Sequence, residues 1–243
     1  MVFRKNLKRY ALISLFNKKN INYLCKTLSN FNIKFISTGG TYKAIKKLGF
    51  NCIQISSITN FNEILNGRVK TLHPNIHASI LYKRNNIKHL SSFNKLNIPS
   101  IDFVIVNLYP FETAIKKIQP EDKIIEMIDI GGPAMIRSAA KNYEFVTTIC
   151  DTNDYKKLIY NLKINNGMNT YDFRKQMALK AFKKTTDYDK QVYNWLLKNS
   201  KFKNKVELRY GENPYQKSHF IKNSSPSIFD SQIQGKNLSY NNI

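Results

Sequence analysis

Apolar positions along the chain switch between two periods, and the switches divide its first two thirds into alternating strands and helices. Tyr10–Leu15 (YALISL) is a short, nearly continuous apolar run of strand length, the pattern of a strand buried on both faces. Ile21, Leu24, Cys25 and Leu28 then recur at i, i+3, i+4 and i+7, which predicts a helix over Asn20–Asn30. Lys34–Ser37 and Cys52–Ile55 read as further strands, with a helix over Tyr42–Leu48 between them and Gly49 at its C-terminal stop. Strand and helix alternating through such short links point to an α/β fold, a mostly parallel sheet with helices on both faces.

The middle of the chain is less regular. Phe61–Pro74 follows neither period and is expected to be a long loop, a feature that compact domains keep mainly for function. Ser79–Leu81 reads as a short strand, Asn85–Asn97 as a polar helix or loop, and Phe103–Asn107 (FVIVN) as a β-branched strand. Helices are predicted over Phe111–Lys117, Glu121–Met127, Ala134–Asn142 and Asp154–Lys163, with a strand over Glu144–Ile149. Thr170–Asn199 carries Phe173, Met177, Ala181, Tyr188 and Trp195 in an amphipathic pattern and closes the domain as one or two helices. Beyond about Lys201 the chain turns to Asn, Ser, Gly and Pro, so residues 1–200 are expected to form one domain and residues 201–243 the start of another. No internal repeat is visible.

Composition narrows the function classes. Hydrophobic residues make up 42% of the 243 positions, enough for a core and too many for a disordered chain. No apolar run approaches the roughly 20 residues that cross a bilayer. The basic MVFRKNLKRY start is followed by a short ALISLF without a small-residue cleavage site, so no signal peptide and no membrane association are expected. Three scattered cysteines (Cys25, Cys52, Cys150) without a CxxC fit a reducing, cytoplasmic setting. The net charge of +23 would suit nucleic acid or a small anion. Its lysines are spread over helix faces (Lys43, Lys46, Lys47, Lys156, Lys157), whereas a nucleic-acid surface clusters its charge, so no nucleic-acid partner is expected.

Several short motifs carry candidate chemistry. Thr38-Gly39-Gly40-Thr41 lies between a strand and a helix, where glycines let backbone N–H groups converge on a phosphate at a helix N-terminus; a plain connecting turn would look the same. Gly67-Arg68-Val69-Lys70-Thr71-Leu72-His73-Pro74 presents two cations on one side of an extended loop. His73 and His77 are four apart, but Pro74 and the lack of a nearby carboxylate argue against a metal, and none is expected. Asp129-Ile130-Gly131-Gly132 sets a carboxylate beside a second anion nest at a helix start. Arg137 and Lys141 share a face of that helix. Asn107, Leu108 and Tyr109 follow a strand, where open α/β sheets place ligands.

In order, the chain carries TGGT, GRVKTLHP, HPNIH, NLYPF, DIGGPAMIRSAAKN and QMALKAF. This succession resembles the bifunctional purine biosynthesis protein family, which joins an inosine monophosphate cyclohydrolase to a formyltransferase. The resemblance implies a methylglyoxal-synthase-like fold for the first domain. It implies that Thr38, Gly39, Gly40 and Thr41 hold the substrate 5′-phosphate with Lys18. Arg68, Lys70 and Thr71 would line the pocket, with Asn107 and Leu108 beside the base and Ile130 and Gly131 among the nucleotide contacts. Lys141, Lys70, Asp129 and Tyr109 match the family's catalytic positions, Lys141 that of proton transfer. Arg209 and Tyr210 match contacts of the formyltransferase to its aminoimidazole nucleotide.

The implied reaction closes 5-formamido-imidazole-4-carboxamide ribonucleotide to inosine monophosphate with loss of water. It needs no cofactor, and 10-formyltetrahydrofolate would serve only as cosubstrate of formyl transfer. The chain departs from the family at Ser14-Leu15-Phe16-Asn17-Lys18-Lys19-Asn20, where Phe16 stands in place of a small hydroxyl and a glycine is missing. From Leu208 onward the likeness covers only the beginning of the formyltransferase, an incomplete C-terminal segment, so that activity is expected to be absent here. Relatives pair through their transferase domains, which makes a homodimer the assembly to test. The rival reading is a non-catalytic purine-nucleotide-binding regulatory domain.

Overall fold

The computed structural model describes residues 8–65, 68–116, 120–199, 205–209, 213 and 215–221. Strands β1 (Arg9–Leu15), β2 (Ile33–Ser37), β3 (Cys52–Gln54), β4 (Ile101–Asn107) and β5 (Thr147–Ile149) form one sheet in the order β3-β2-β1-β4-β5. Every neighbouring pair is parallel. Helix α1 (Ile21–Asn30) links β1 to β2 and α2 (Gly39–Lys47) links β2 to β3, so the chain first winds in one direction. It returns through α3 (Ser56–Thr59), α4 (Pro74–Leu81) and α5 (Ile87–Asn94) to lay β4 on the other side of β1. The winding therefore reverses between β1 and β4, and the crevice beyond their carboxyl ends is where such sheets bind ligands.

Burial explains why these two strands read so clearly as sequence. Ala11, Leu12 and Ile13 of β1 and Val104 and Ile105 of β4 are all fully buried, because helices cover both faces. Ala11, Ile13, Phe103 and Ile105 point into a core shared with Leu24 and Leu28 of α1, Leu158 of α9 (Tyr155–Ile164) and Met177 of α10 (Tyr171–Asn199). Alternation sends Leu12, Val104 and Val106 to the opposite face, where α8 (Gly131–Lys141) packs on β4 and on α4. The cysteines behave as small hydrophobes, burial pushing the Cys25 thiol up to about 12.

One sequence expectation changes. Ser79–Leu81 is not a strand but the last turn of α4, which begins at Pro74 and is capped by His73, whose Nδ1 accepts the Asn75 N–H at 3.2 Å. Three residues, two of them apolar, cannot distinguish the two periods, and the proline at the helix start decides. The stretch Thr170–Asn199, expected as one or two helices, forms the single helix α10, Tyr171–Asn199. The chain divides into two compact units at residues 188 and 189, inside α10 rather than beyond its end. Helix α5 is capped by Asn86, whose Oδ1 accepts the His89 N–H at 3.1 Å. Between α5 and β5 stand β4, α6 (Phe111–Lys116), α7 (Glu121–Glu126) and α8.

A bulge marks the start of the central pair. The β1–β4 register runs Tyr10 to Ile101 and then Ala11 to Phe103, which leaves Asp102 unmatched. The Asp102 carboxylate takes the Tyr10 N–H at 3.1 Å and pairs with the buried Arg84 guanidinium at 3.3 Å. Arg84 also donates to the Ile101 carbonyl at 2.6 Å and lies against the rings of Tyr82 and Phe145.

In the second unit, β6 (Lys205–Glu207) and β7 (His219–Ile221) pair antiparallel, and Arg209 follows β6. Tyr210 lies outside the described residues. Among the described residues no helix is long and apolar enough to cross a membrane.

Candidate active site

The crevice between β1 and β4 holds a cavity of about 650 Å³, a size that suits a nucleotide-sized ligand. Its walls are the end of β1 (Ser14, Leu15, Phe16), Lys18, the Thr38–Thr41 turn, Arg68, Lys70 and Thr71 of the long loop, Asn107 and Tyr109 after β4, and Asp129 to Gly132. Almost all the residues singled out from the sequence thus meet in one place.

The Thr38–Thr41 segment is the opening of α2 itself. Thr38 is its N-cap in an extended conformation, and Gly39, Gly40 and Thr41 form the first turn, whose N–H groups have no partner within the helix. Gly39 adopts φ +52°, a left-handed conformation that favours glycine. Two ammonium groups converge over this turn: a Cβ on Gly40 would stand 3.7 Å from Lys18 Nζ, and one on Gly39 would stand 3.9 Å from Lys70 Nζ. Free N–H groups, the helix dipole and two lysines make a cradle for a phosphate. The Thr41 hydroxyl is not free for it, because it accepts the Leu15 N–H at 2.9 Å and donates to the Leu15 carbonyl at 3.0 Å. Replacing Lys18 by glutamine is expected to raise KM for a phosphorylated substrate by roughly tenfold or more while kcat changes less, since one charge-assisted contact is lost; steady-state kinetics with a salt series checks it.

Asp129 stands on the opposite side. Its Oδ1 accepts the Gly132 N–H at 2.8 Å, and its own N–H donates to the Tyr188 hydroxyl at 2.7 Å. That hydroxyl donates in turn to the Met127 carbonyl at 3.2 Å. Burial raises the Asp129 carboxyl above the usual carboxylate range, against the lowering by the Gly132 N–H and by the charge of Lys70. Gly132 has to be glycine for this approach, because a Cβ there would come within 2.5 Å of Asp129 Oδ2 and 2.8 Å of Leu108 Cδ2. Lys70 forms a 3.7 Å ion pair with Glu63. Arg68 makes two hydrogen bonds to Glu126 and so ties the long loop to α7.

Other expectations are corrected. Lys141 is not brought to the cavity: Gly131 lines it at the N-terminus of α8, and Lys141 lies exposed at the other end, ten residues and about 15 Å of helical rise away. Arg137, on the same face of α8, sits over the Phe182 ring. Leu108 is a buried packing residue behind Gly132, not a lining residue. The Asn107 amide is engaged by Asn17, accepting its N–H at 3.0 Å and donating to its carbonyl at 2.8 Å. His73 caps α4, and His77 Nδ1 lies 2.9 Å from Ser138 Oγ, so each imidazole has its own partner. Sequence reasoning missed Glu63, Glu126 and Tyr188, whose roles come from pairings across long separations that no local pattern announces.

Comparisons with known proteins show the family. The chain matches the MGS-like domain over residues 20–134 and the AICARFT/IMPCHase bienzyme family over residues 139–243. It is 43% identical to the bifunctional purine biosynthesis protein PurH of Rhizobium rhizogenes over 96% of this chain and 46% of that one. With the protein of the same name from Bacillus mycoides the identity is 45%, over 98% of this chain and 49% of that one. A crystal structure of ForH superposes with a TM-score of 0.67 and 31% identity, covering 76% of this chain and 97% of that one. The chain spans about half the length of the curated relatives it matches. The chain belongs to the bifunctional purine biosynthesis protein family, and the parallel sheet that carries its cavity is that family's MGS-like domain.

Proposed function

We propose that this chain is an inosine monophosphate cyclohydrolase, closing the six-membered ring of 5-formamido-imidazole-4-carboxamide ribonucleotide. The observation that supports it most is a single cavity joining a phosphate cradle at α2 to a carboxyl of raised pKa beside a lysine. In the reaction the carboxamide nitrogen attacks the formyl carbon and a carbon–nitrogen bond forms; the former formyl oxygen then leaves as water, balanced by one proton lost from the carboxamide nitrogen and one from the formamide nitrogen, whose freed electron pair completes the ring carbon–nitrogen double bond. Asp129 takes the proton from the amide nitrogen, a poor nucleophile until it is removed. Lys70, which lines the cavity, neutralises charge on the formyl oxygen, and Tyr109, another lining residue, supplies a proton to it. Both reacting groups belong to one molecule, so fixing them in a reactive conformer supplies much of the rate. No metal or folate takes part in this step. Formyl transfer lies outside this proposal.

Purified chain mixed with the formamido nucleotide is expected to form inosine monophosphate, followed by ultraviolet absorbance, and Lys70→Met is expected to abolish it. Tight nucleotide binding without turnover would favour the regulatory reading. Loss of turnover in Lys141→Met with binding intact would return proton transfer to that residue.

A further inference from the structure

We infer that Phe16 and Tyr109 form the surface on which the heterocycle of the nucleotide lies, so that ring stacking anchors the base in this chain. The inference rests on the ring-closure reading of the same cavity. Both rings line the cavity, and both are left open to water there, Phe16 at 50% and Tyr109 at 43% of full exposure. Their centroids are 4.9 Å apart and their planes are inclined at 47°. The pair therefore meets as a bent aromatic wall, with apolar surface that packing within the chain does not cover.

The wall is held in place. Asn107 fixes Asn17, the residue after Phe16, through two hydrogen bonds to its backbone, and Lys18 Nζ lies 3.4 Å from the Phe16 carbonyl. The same Lys18 stands over Gly40 in the phosphate cradle, so Phe16 is built onto the phosphate end of the cavity while Tyr109 comes from the end of β4. A flat, π-rich ring attached through a ribose to that phosphate has a complementary face to meet, since aromatic side chains stack on any base.

Titration calorimetry of the full chain with inosine monophosphate and, separately, with ribose 5-phosphate separates base from phosphate. Phe16→Ser is expected to weaken inosine monophosphate binding about tenfold, the usual loss of one stacking ring, and to leave ribose 5-phosphate binding unaffected. Phe16→Tyr keeps the ring and is expected to bind like wild type. In turnover, KM of the formamido nucleotide should rise with Phe16→Ser by a similar factor, kcat changing less. Equal affinity for inosine monophosphate in wild type and Phe16→Ser overturns the inference while leaving the ring-closure reading standing. So does equal weakening of both ligands, which would make Phe16 part of the phosphate site. Wild type that binds no inosine monophosphate overturns both.

Discussion

Replacing Asp129 by asparagine is expected to lower kcat by roughly two to four orders of magnitude, the usual contribution of a positioned general base, with KM changed far less. Asparagine has nearly the same shape, and its amide oxygen can still accept the Gly132 N–H that Asp129 Oδ1 now accepts. The nest therefore keeps its geometry and loses only the ability to take a proton. The pH profile carries the sign. Burial raises the Asp129 carboxyl in the folded protein, so the basic form needed for amide deprotonation disappears as pH falls through a value above the ordinary 3.8. The acid limb of kcat should lie above that ordinary value in wild type and be missing from the residual activity of Asp129→Asn. Stability runs the other way. A carboxyl raised on folding favours the native state below its unfolded pKa, and that contribution is lost as pH rises through the folded pKa. At neutral pH the asparagine variant is thus expected to be no less stable than wild type. A thermal melt that shows unfolding, or a kcat near wild type, would count against the assignment.

Asp102→Ala should have the largest effect on stability, a loss of about 3–5 kcal/mol in chemical denaturation, because it strands the buried guanidinium of Arg84. It also removes the side-chain acceptor of the Tyr10 N–H at the bulge. Asp102→Asn, which can still accept the Tyr10 N–H, is expected to cost less than alanine. The pair need not be a net gain over apolar residues of similar volume. Arg84→Met combined with Asp102→Leu is therefore expected to recover much of the loss suffered by the single alanine variant. If Asp102→Ala unfolds at the same denaturant concentration as wild type, the buried pair is not what holds the start of β4 to α4 and β1.

Much of this architecture was readable in the chain. β1 and β4 lie at the centre, are covered on both faces, and so appear as unbroken apolar runs that admit no other reading. α1 declared itself by four apolar residues in helical phase, all of which are buried. Ser79–Leu81 failed because a three-residue stretch with only Ile80 and Leu81 apolar fits either period, while the proline that settled it lies a full turn earlier. In the site, the glycine turns and the basic loop were recognisable because their chemistry is local. Periodicity showed which face of α8 Lys141 shares with Arg137, but it says nothing about which end of a helix meets a cavity, and that is where Lys141 was misplaced. Asn107 and Thr41 line the cavity, yet their side chains fasten one segment to another. The partner that fixes the Asp129 backbone, Tyr188, lies 59 residues away and looked like one more apolar position of a helix.

Every residue lining the cavity falls between Ser14 and Met135. The binding surface is therefore inherited as one contiguous block of sequence, which gene fusion or fission downstream can join to other domains without rewriting a single contact to the ligand. Tyr188, the last residue of the first unit, is the exception that dates the block: on a ribosome, the cavity walls emerge well before the hydroxyl that anchors Asp129. A nascent chain released short of α10 would carry every lining residue of the cavity while the Asp129 N–H still lacked the Tyr188 hydroxyl.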